Sequence, residues 1–168
     1  MSMRPYRRTQ FGSSKTRASV IGALISSQLT TFTVADGTAV AMATHNLFAK
    51  SLDKNGMGVL LEAWGSFAAD ADAGTVNLRI GGLAGTVIAT VAKTNAGLWY
   101  VNAWVWRTGA ATQKSIGLGR VSNTAQETIT QAAPTINLLA DTTLVVEGDG
   151  TNASDIVMLG SNLYGIGL

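Results

Sequence analysis

The sequence predicts an all-β fold: a jelly-roll β-sandwich of about eight to ten antiparallel strands behind an extended N-terminal arm. Three observations predict it. No sustained stretch of the 168 residues places apolar side chains at the i, i+3, i+4, i+7 spacing of an amphipathic helix. Short apolar segments recur instead between Gly, Asn and Asp clusters, as turn-linked strands require. Gly is frequent at 19 and Pro rare at 2, a balance that suits tight turns and uninterrupted strand ladders.

Residues 1–28 read as a basic arm and 29–168 as one sandwich domain, because a chain of this length builds one core comfortably and two poorly. The expected strands of the body are Leu29–Ala35, Thr38–Ala43, Gly58–Ala69, Thr75–Ile80, Thr86–Ala92, Leu98–Thr108, Lys114–Val121, Gln126–Gln131, Thr142–Glu147 and Ile156–Gly167. Asp36-Gly37, Asn55-Gly56, Asp70 to Gly74, Gly81-Gly82, Asn95 to Gly97, Thr108-Gly109 and Asp149-Gly150 supply turns between them. Leu47–Leu52 could close one helical turn, and Ala18–Leu29 fits neither periodicity.

The strand Leu98–Thr108 is the most informative. Side chains alternate across a strand, so Leu98, Tyr100, Asn102, Trp104 and Trp106 share one face, and Trp99, Val101, Ala103, Val105 and Arg107 share the other. Both faces are largely apolar, whereas a strand with one wet face should alternate apolar with polar. Gly58–Ala69 behaves alike, with Val59, Leu61, Ala63 and Phe67 opposite Leu60, Trp64 and Ala68. One face can fill the sandwich; the other needs a cover. Trp64, Trp99, Tyr100, Trp104 and Trp106 are therefore expected to divide between the core and a subunit interface, in an order the alternation alone leaves open. Composition points the same way. Only 13% of residues are charged and 46% are hydrophobic, against roughly 25% charged in an average domain, so much of the outer surface is expected to be covered by other chains.

Signals of chemistry are few. There is no Cys and a single histidine, His45, which excludes disulfides, thiolate metal sites and any His-based dyad or metal centre. His45, beside Asn46, reads as a turn or surface residue. Asp70-Ala-Asp72-Ala-Gly74 opens like a calcium loop, but its twelfth position is Gly81 where a bidentate Glu is needed, so a turn is the better reading. Gly81-Gly82-Leu-Ala-Gly85 joins two strands and lacks the Lys-Ser/Thr of a phosphate loop. Glu62, Asp70, Asp72, Glu127, Glu147, Asp149 and Asp155 could converge as paired acids, yet nothing in the sequence singles out a pair. Asn152-Ala-Ser154 fits a glycosylation acceptor by pattern alone. The chain is expected not to be an enzyme and to carry no cofactor or metal. No run approaches the ~18 apolar residues of a membrane helix, and no membrane partner is expected.

Charge is unevenly spread. Five of the twelve bases, Arg4, Arg7, Arg8, Lys15 and Arg17, lie in the first seventeen residues without an acid, leaving seven bases against ten acids in the rest. Arg7-Arg8 before Ala18–Ile25 loosely mimics a twin-arginine leader. Phe11 comes one place too late, however, and Ser26, Ser27 and Gln28 cut the apolar stretch short, so no signal peptide is expected. The arm is too polar to fold alone. Tyr6 and Phe11 among the arginines would suit nucleic acid, but five charges are few for packaging a genome, and a protein surface is the expected partner.

Gly58-Val-Leu-Leu-Glu-Ala-Trp-Gly-Ser-Phe67, then Asp70-Ala-Asp-Ala-Gly-Thr-Val-Asn-Leu-Arg-Ile80, and then Leu98-Trp-Tyr-Val-Asn-Ala-Trp-Val-Trp-Arg-Thr-Gly109 with nearby Gln113, resemble a recurrent block of bacteriophage structural proteins. The resemblance spans about residues 57–167. It implies a small jelly roll attached to a capsid or tail, commonly as a trimer. With no shaft repeat and a short basic arm, the chain looks most like a capsid decoration, or cement, protein. The resemblance then implies docking on the major capsid protein through Arg4, Tyr6, Arg7, Arg8, Phe11, Lys15 and Arg17, self-association as a homotrimer, and a place on the capsid surface of the virion. Two further readings stay open: a tail or baseplate module recognising glycan or receptor, and the shell protein of a small virus.

Overall fold

The chain doubles back on itself as one long hairpin and rolls that hairpin into two sheets. The computed structural model describes residues 21–35, 37–69, 72–93, 95–122 and 127–167. They form β1 (Ile21–Gln28), β2 (Phe32–Thr33), β3 (Val40–Leu47), β4 (Gly58–Phe67), β5 (Gly74–Ile80), β6 (Thr86–Ala92), β7 (Gly97–Gly109), β8 (Thr112–Val121), β9 (Glu127–Ala132), β10 (Thr142–Gly150) and β11 (Ile156–Ile166), with no helix among them. Pairing is nested: β5 with β6, β4 with β7, β3 with β10 and β1 with β11, all antiparallel. Successive pairs fall alternately in a four-stranded sheet, β3-β10-β5-β6, and a seven-stranded sheet, β1-β11-β4-β7-β8-β9, with β2 also on β11. That alternation is a jelly roll. The hairpin β8–β9 is an insertion between β7 and β10 that widens the larger sheet.

The alternation read from β4 and β7 is the one the fold uses. Val59, Leu61, Ala63 and Phe67 of β4, and Trp99, Val101, Ala103 and Val105 of β7, point inward and are buried. Leu78, Ile80, Ile88, Val91, Leu144 and Val146 face them from the smaller sheet. Each such side chain contributes about 1.5–3 kcal/mol by leaving water. Gly117 and Gly119 bring β8 against β6: a Cβ at Gly117 would lie 2.4 Å from that of Ala89, and one at Gly119 2.8 Å from that of Val91. The sheets close on each other along this side because these two positions lack a side chain. Gly81 and Gly82 turn the β5–β6 hairpin with φ of 93° and 86°, as expected for a Gly-rich connection.

Four elements differ from expectation. Residues 21–28, assigned to the arm, form β1 and pair along β11. Leu24 and Ile25 are exposed and two register shifts interrupt the ladder, so no clean period marks this edge strand. β3 runs on through Leu47, and the segment after it is a turn around Lys50 (φ 62°) rather than a helical turn. Asp149-Gly150 is the end of β10, paired with Thr75 and Gly74, not a turn. The short β2 replaces the expected strand Leu29–Ala35. The arm residues Arg4, Tyr6, Arg7, Arg8, Phe11, Lys15 and Arg17 lie outside the described residues.

Candidate functional site on the outer face of the larger sheet

The two outer faces of the sandwich are chemically opposite. On the smaller sheet, alternation turns outward Thr44 and Asn46 of β3, Thr75, Asn77 and Arg79 of β5, Thr90 of β6, and Thr143, Glu147 and Asp149 of β10, with the small apolar Ala41, Val87 and Val145 among them. Arg79 Nε donates to Glu147 Oε2 at 2.6 Å and Asn77 Nδ2 to Oε1 at 2.8 Å, which gives the buried carboxylate a cation and an amide. That is a face made for water. On the larger sheet the outward residues include Leu60 and Trp64 of β4, Leu98, Tyr100, Trp104 and Trp106 of β7, Ile116 and Leu118 of β8, Ile129 of β9, and Leu159 and Tyr164 of β11, with Ser66, Lys114, Arg120, Glu127 and Gln131 towards the strand ends and the β9 edge. Ile129 is 64% exposed and Leu98 61%, so the face is apolar and open. A contiguous patch of this kind marks an interaction surface.

Register builds this face from cross-strand neighbours. Leu60 stands opposite Trp104, Trp64 opposite Tyr100, Trp104 opposite Ile116, and Leu118 opposite Ile129. Trp104 and Trp106, two residues apart on β7, stack at 6.0 Å with their planes 13° apart. The Trp64 ring lies over Gly160, where a Cβ would fall 2.5 Å from it. A depression of about 390 Å³ opens between Trp64, Leu98, Tyr100, Arg120, Ser122 and Leu159. A second, of about 270 Å³, lies between Trp104, Ile116, Leu118 and Ile129.

One polar cluster interrupts the apolar surface at its centre. Glu62 of β4 stands between Asn102 of β7 and Asn162 of β11 in the ladder. Tyr100 donates its hydroxyl hydrogen to Glu62 Oε2 at 2.9 Å, and Tyr164 donates to Oε1 at 3.1 Å. Asn102 Nδ2 donates to the Tyr100 hydroxyl at 3.3 Å, while Asn162 Nδ2 reaches both the Tyr164 hydroxyl at 3.0 Å and Glu62 Oε1 at 3.2 Å. Burial, above all, holds both phenols above their ordinary pKa; Glu62 adds to the effect, and the Asn donors work against it. No described cation lies within ion-pair distance of Glu62.

The aromatic residues singled out by the sequence thus divide cleanly. Trp99 is the core member, 1% exposed and packed against Phe67 at 6.1 Å, its Nε1 without a partner. Trp64, Tyr100, Trp104 and Trp106 come together on the outer face. The Glu62 cluster was missed. Its sequence signal was Glu62 and Asn102, each a polar interruption in an otherwise apolar strand, but their alignment depends on a register that the sequence does not print. His45 is a correction: it is fully buried, not a turn or surface residue. The longer β3 turns it inward, where its ring nitrogens meet Ser26 Oγ at 3.0 Å and Ser161 Oγ at 2.9 Å. Desolvation lowers its pKa.

Arg107 and Gln113 serve the scaffold. Arg107 is buried and reaches the carbonyls of Leu52 and Gly109, pinning the loop before β4. Gln113, its ladder partner, donates to the Ile136 carbonyl at 2.9 Å and accepts from the Ile136 amide at 3.0 Å. Asp72 accepts from Asn152 Nδ2 at 2.6 Å, which ties together two loops that had suggested a calcium site and a glycosylation acceptor. Among the described residues no three His, Asp or Glu side chains group as a metal site.

No protein-family model matches the chain, and no curated protein matches it. Solved structures similar at low identity include the following. The T13 viral particle of IBDV shows 14% identity and a TM-score of 0.34 over 83% of this chain and 31% of that one. The CBM2 module of the evolved Dit of Lactobacillus casei BL23 phage J-1 shows 11% and 0.38 over 82% and 76%. The VP2 subviral particle of infectious bursal disease virus shows 13% and 0.33 over 85% and 33%. The chain spans about a third of the length of the two bursal disease virus chains. Likenesses of this size do not bear on what this chain does.

Proposed function

We propose that this chain is a structural protein of a virus particle, of the capsid decoration type, whose copies associate through the outer face of the seven-stranded sheet. One observation carries the reading: Trp64, Trp104, Trp106, Ile116, Leu118 and Ile129 pave the outside of one sheet, while the outside of the other is mostly Thr, Asn and an ion pair, with no Phe, Tyr or Trp in its strands. Five strand spacings of about 4.8 Å and ten-residue strands give that face roughly 800 Å². This is what each partner of a standard stable interface contributes. Large aromatics are the usual anchors of such a patch. The basic residues of the arm are assigned to the major capsid protein, and many copies each making a few contacts would add through multivalency. The phage-like block in the sequence favours a virion over other assemblies.

The test is sedimentation of the purified chain and of its Trp104→Glu variant, followed by co-sedimentation with phage heads. The native chain should run as an oligomer and bind heads in hundreds of copies; the variant should remain folded and run as a monomer. A native chain that stays monomeric at high concentration and ignores heads would overturn the reading. The depression beside Trp64 and Tyr100, an aromatic wall next to hydrogen-bonding groups, favours a second reading as a glycan-binding tail module. A handful of copies per particle would support that alternative.

A further inference from the structure

Glu62 is misplaced for a face that is simply covered by apolar surface. Its carboxylate sits at the middle of the sheet and takes hydrogen bonds from Tyr100, Tyr164 and Asn162, yet no described base neutralises it. Open to water, that arrangement costs little. Covered, it would strand a charge in a dry interface and weaken binding unless a cation enters with the cover. The groups around it set the identity of that cation. The amide oxygens of Asn102 and Asn162 take no hydrogen bond from a described residue, and a carboxylate has lone-pair sites beyond the bonds it accepts here. The cluster therefore presents acceptors, framed by the rings of Tyr100 and Tyr164. A guanidinium is planar, carries only donors and stacks on aromatic rings, which a lysine ammonium matches less well.

We infer that the Glu62 cluster is a socket for an arginine from the basic segment of residues 4–17 of a neighbouring copy. The inference rests on the reading that this face joins copies, and it names what completes the interface. Charge complementarity is one argument: the segment carries four arginines and a lysine without an acid, and Glu62 is the one acid at the centre of the face. Position is the other. The segment joins the fold at Ile21, which pairs with Ile166, and Ile166 pairs with Gly58 at the start of β4. Glu62 lies four residues along that strand, about 13 Å from Gly58, and two strand spacings of about 4.8 Å across from β1. Arg17 is four residues before Ile21, a span of at most about 14 Å, which is enough for a base of this segment to reach a copy packed on the face. One arginine fills the socket, which leaves the others for the capsid surface.

Two variants of the full chain test this, Glu62→Gln and a version with Arg4, Arg7, Arg8, Lys15 and Arg17 all changed to Gln. The first keeps the shape of the socket and removes its charge; circular dichroism verifies folding. Each should weaken self-association at least tenfold, the combined variant should lose no more than either alone, and a mixture of the two should recover part of the association. Unchanged association in Glu62→Gln, or losses that multiply in the combined variant, would overturn the socket. Should the native chain not self-associate, the interface reading fails by itself. The socket is then read separately by titrating a free peptide of residues 1–20 into the arm-neutralised chain and following tryptophan emission. Saturable binding that Glu62→Gln or high salt abolishes supports the socket. No binding, or binding indifferent to Glu62, refutes it.

Discussion

His45 Nε2 lies 2.9 Å from Ser161 Oγ, and its Nδ1 lies 3.0 Å from Ser26 Oγ, so one fully buried imidazole on β3 of the smaller sheet is bonded to β11 and β1 of the larger. Neutral, it satisfies both hydroxyls. Burial lowers its pKa from the ordinary 6.5, so the unfolded chain takes up a proton that the folded chain refuses. Stability is complete above 6.5, falls as pH drops below it by up to about 1.4 kcal/mol per unit, and stops falling beneath the folded pKa. Thermal unfolding at pH 7.5, 6.5 and 5.5 should show this decline, and His45→Gln should remove the part that begins near 6.5.

Gln113 closes a two-way bond with the backbone of Ile136. Gln113→Ala would leave the half-buried amide and carbonyl of Ile136 without this partner, each costing about 1 kcal/mol or more. A loss of at least about 2 kcal/mol in urea unfolding is expected, with faster hydrogen exchange around Ile136. A surface position such as Lys114→Ala should change almost nothing.

Gly117 is a packing requirement. Its added Cβ would fall 2.3 Å from the Ile88 carbonyl oxygen as well as against Ala89. Gly117→Ala should therefore cost about 1–3 kcal/mol by overpacking. Gly56, whose Cβ position is empty but whose φ is 88°, should cost less and only through backbone strain. Thermal denaturation of the pair separates the two effects.

Arg79 and Glu147 form a pair in which the carboxylate is nearly buried and the guanidinium partly exposed. Arg79→Ala should destabilise by about 3 kcal/mol, because Glu147 is left charged beside Asn77 alone. Adding Glu147→Gln to that variant should restore part of the loss, as measured by a double-mutant cycle.

Much of this architecture was legible because burial on both faces leaves a mark. In β7 the run from Leu98 to Trp106 sorted the side chains into the two faces the strand has, and the structure decides which of them is the core: the one with Trp99, Val101, Ala103 and Val105. β5 and β6 were bracketed by glycines that the hairpin uses. What stayed hidden depends on register or on edges. β1 buries little, so its side chains carry no period. Glu62, Tyr100 and Asn162 are far apart in sequence and meet only because β4 lies between β7 and β11. His45 looked like a turn residue because β3 was read as ending before it, and a strand's length is decided by its partner, here β10.

If copies join as proposed, the outer face of the seven-stranded sheet is covered in the assembly and that of the four-stranded sheet is not. Hydroxyl-radical footprinting of the native assembly against the dilute chain measures this directly. Trp64, Trp104, Trp106 and Ile129 should lose reactivity on assembly, while side chains of β3 and β5 that face outward keep theirs. Tryptophans that remain equally reactive in both states would contradict it.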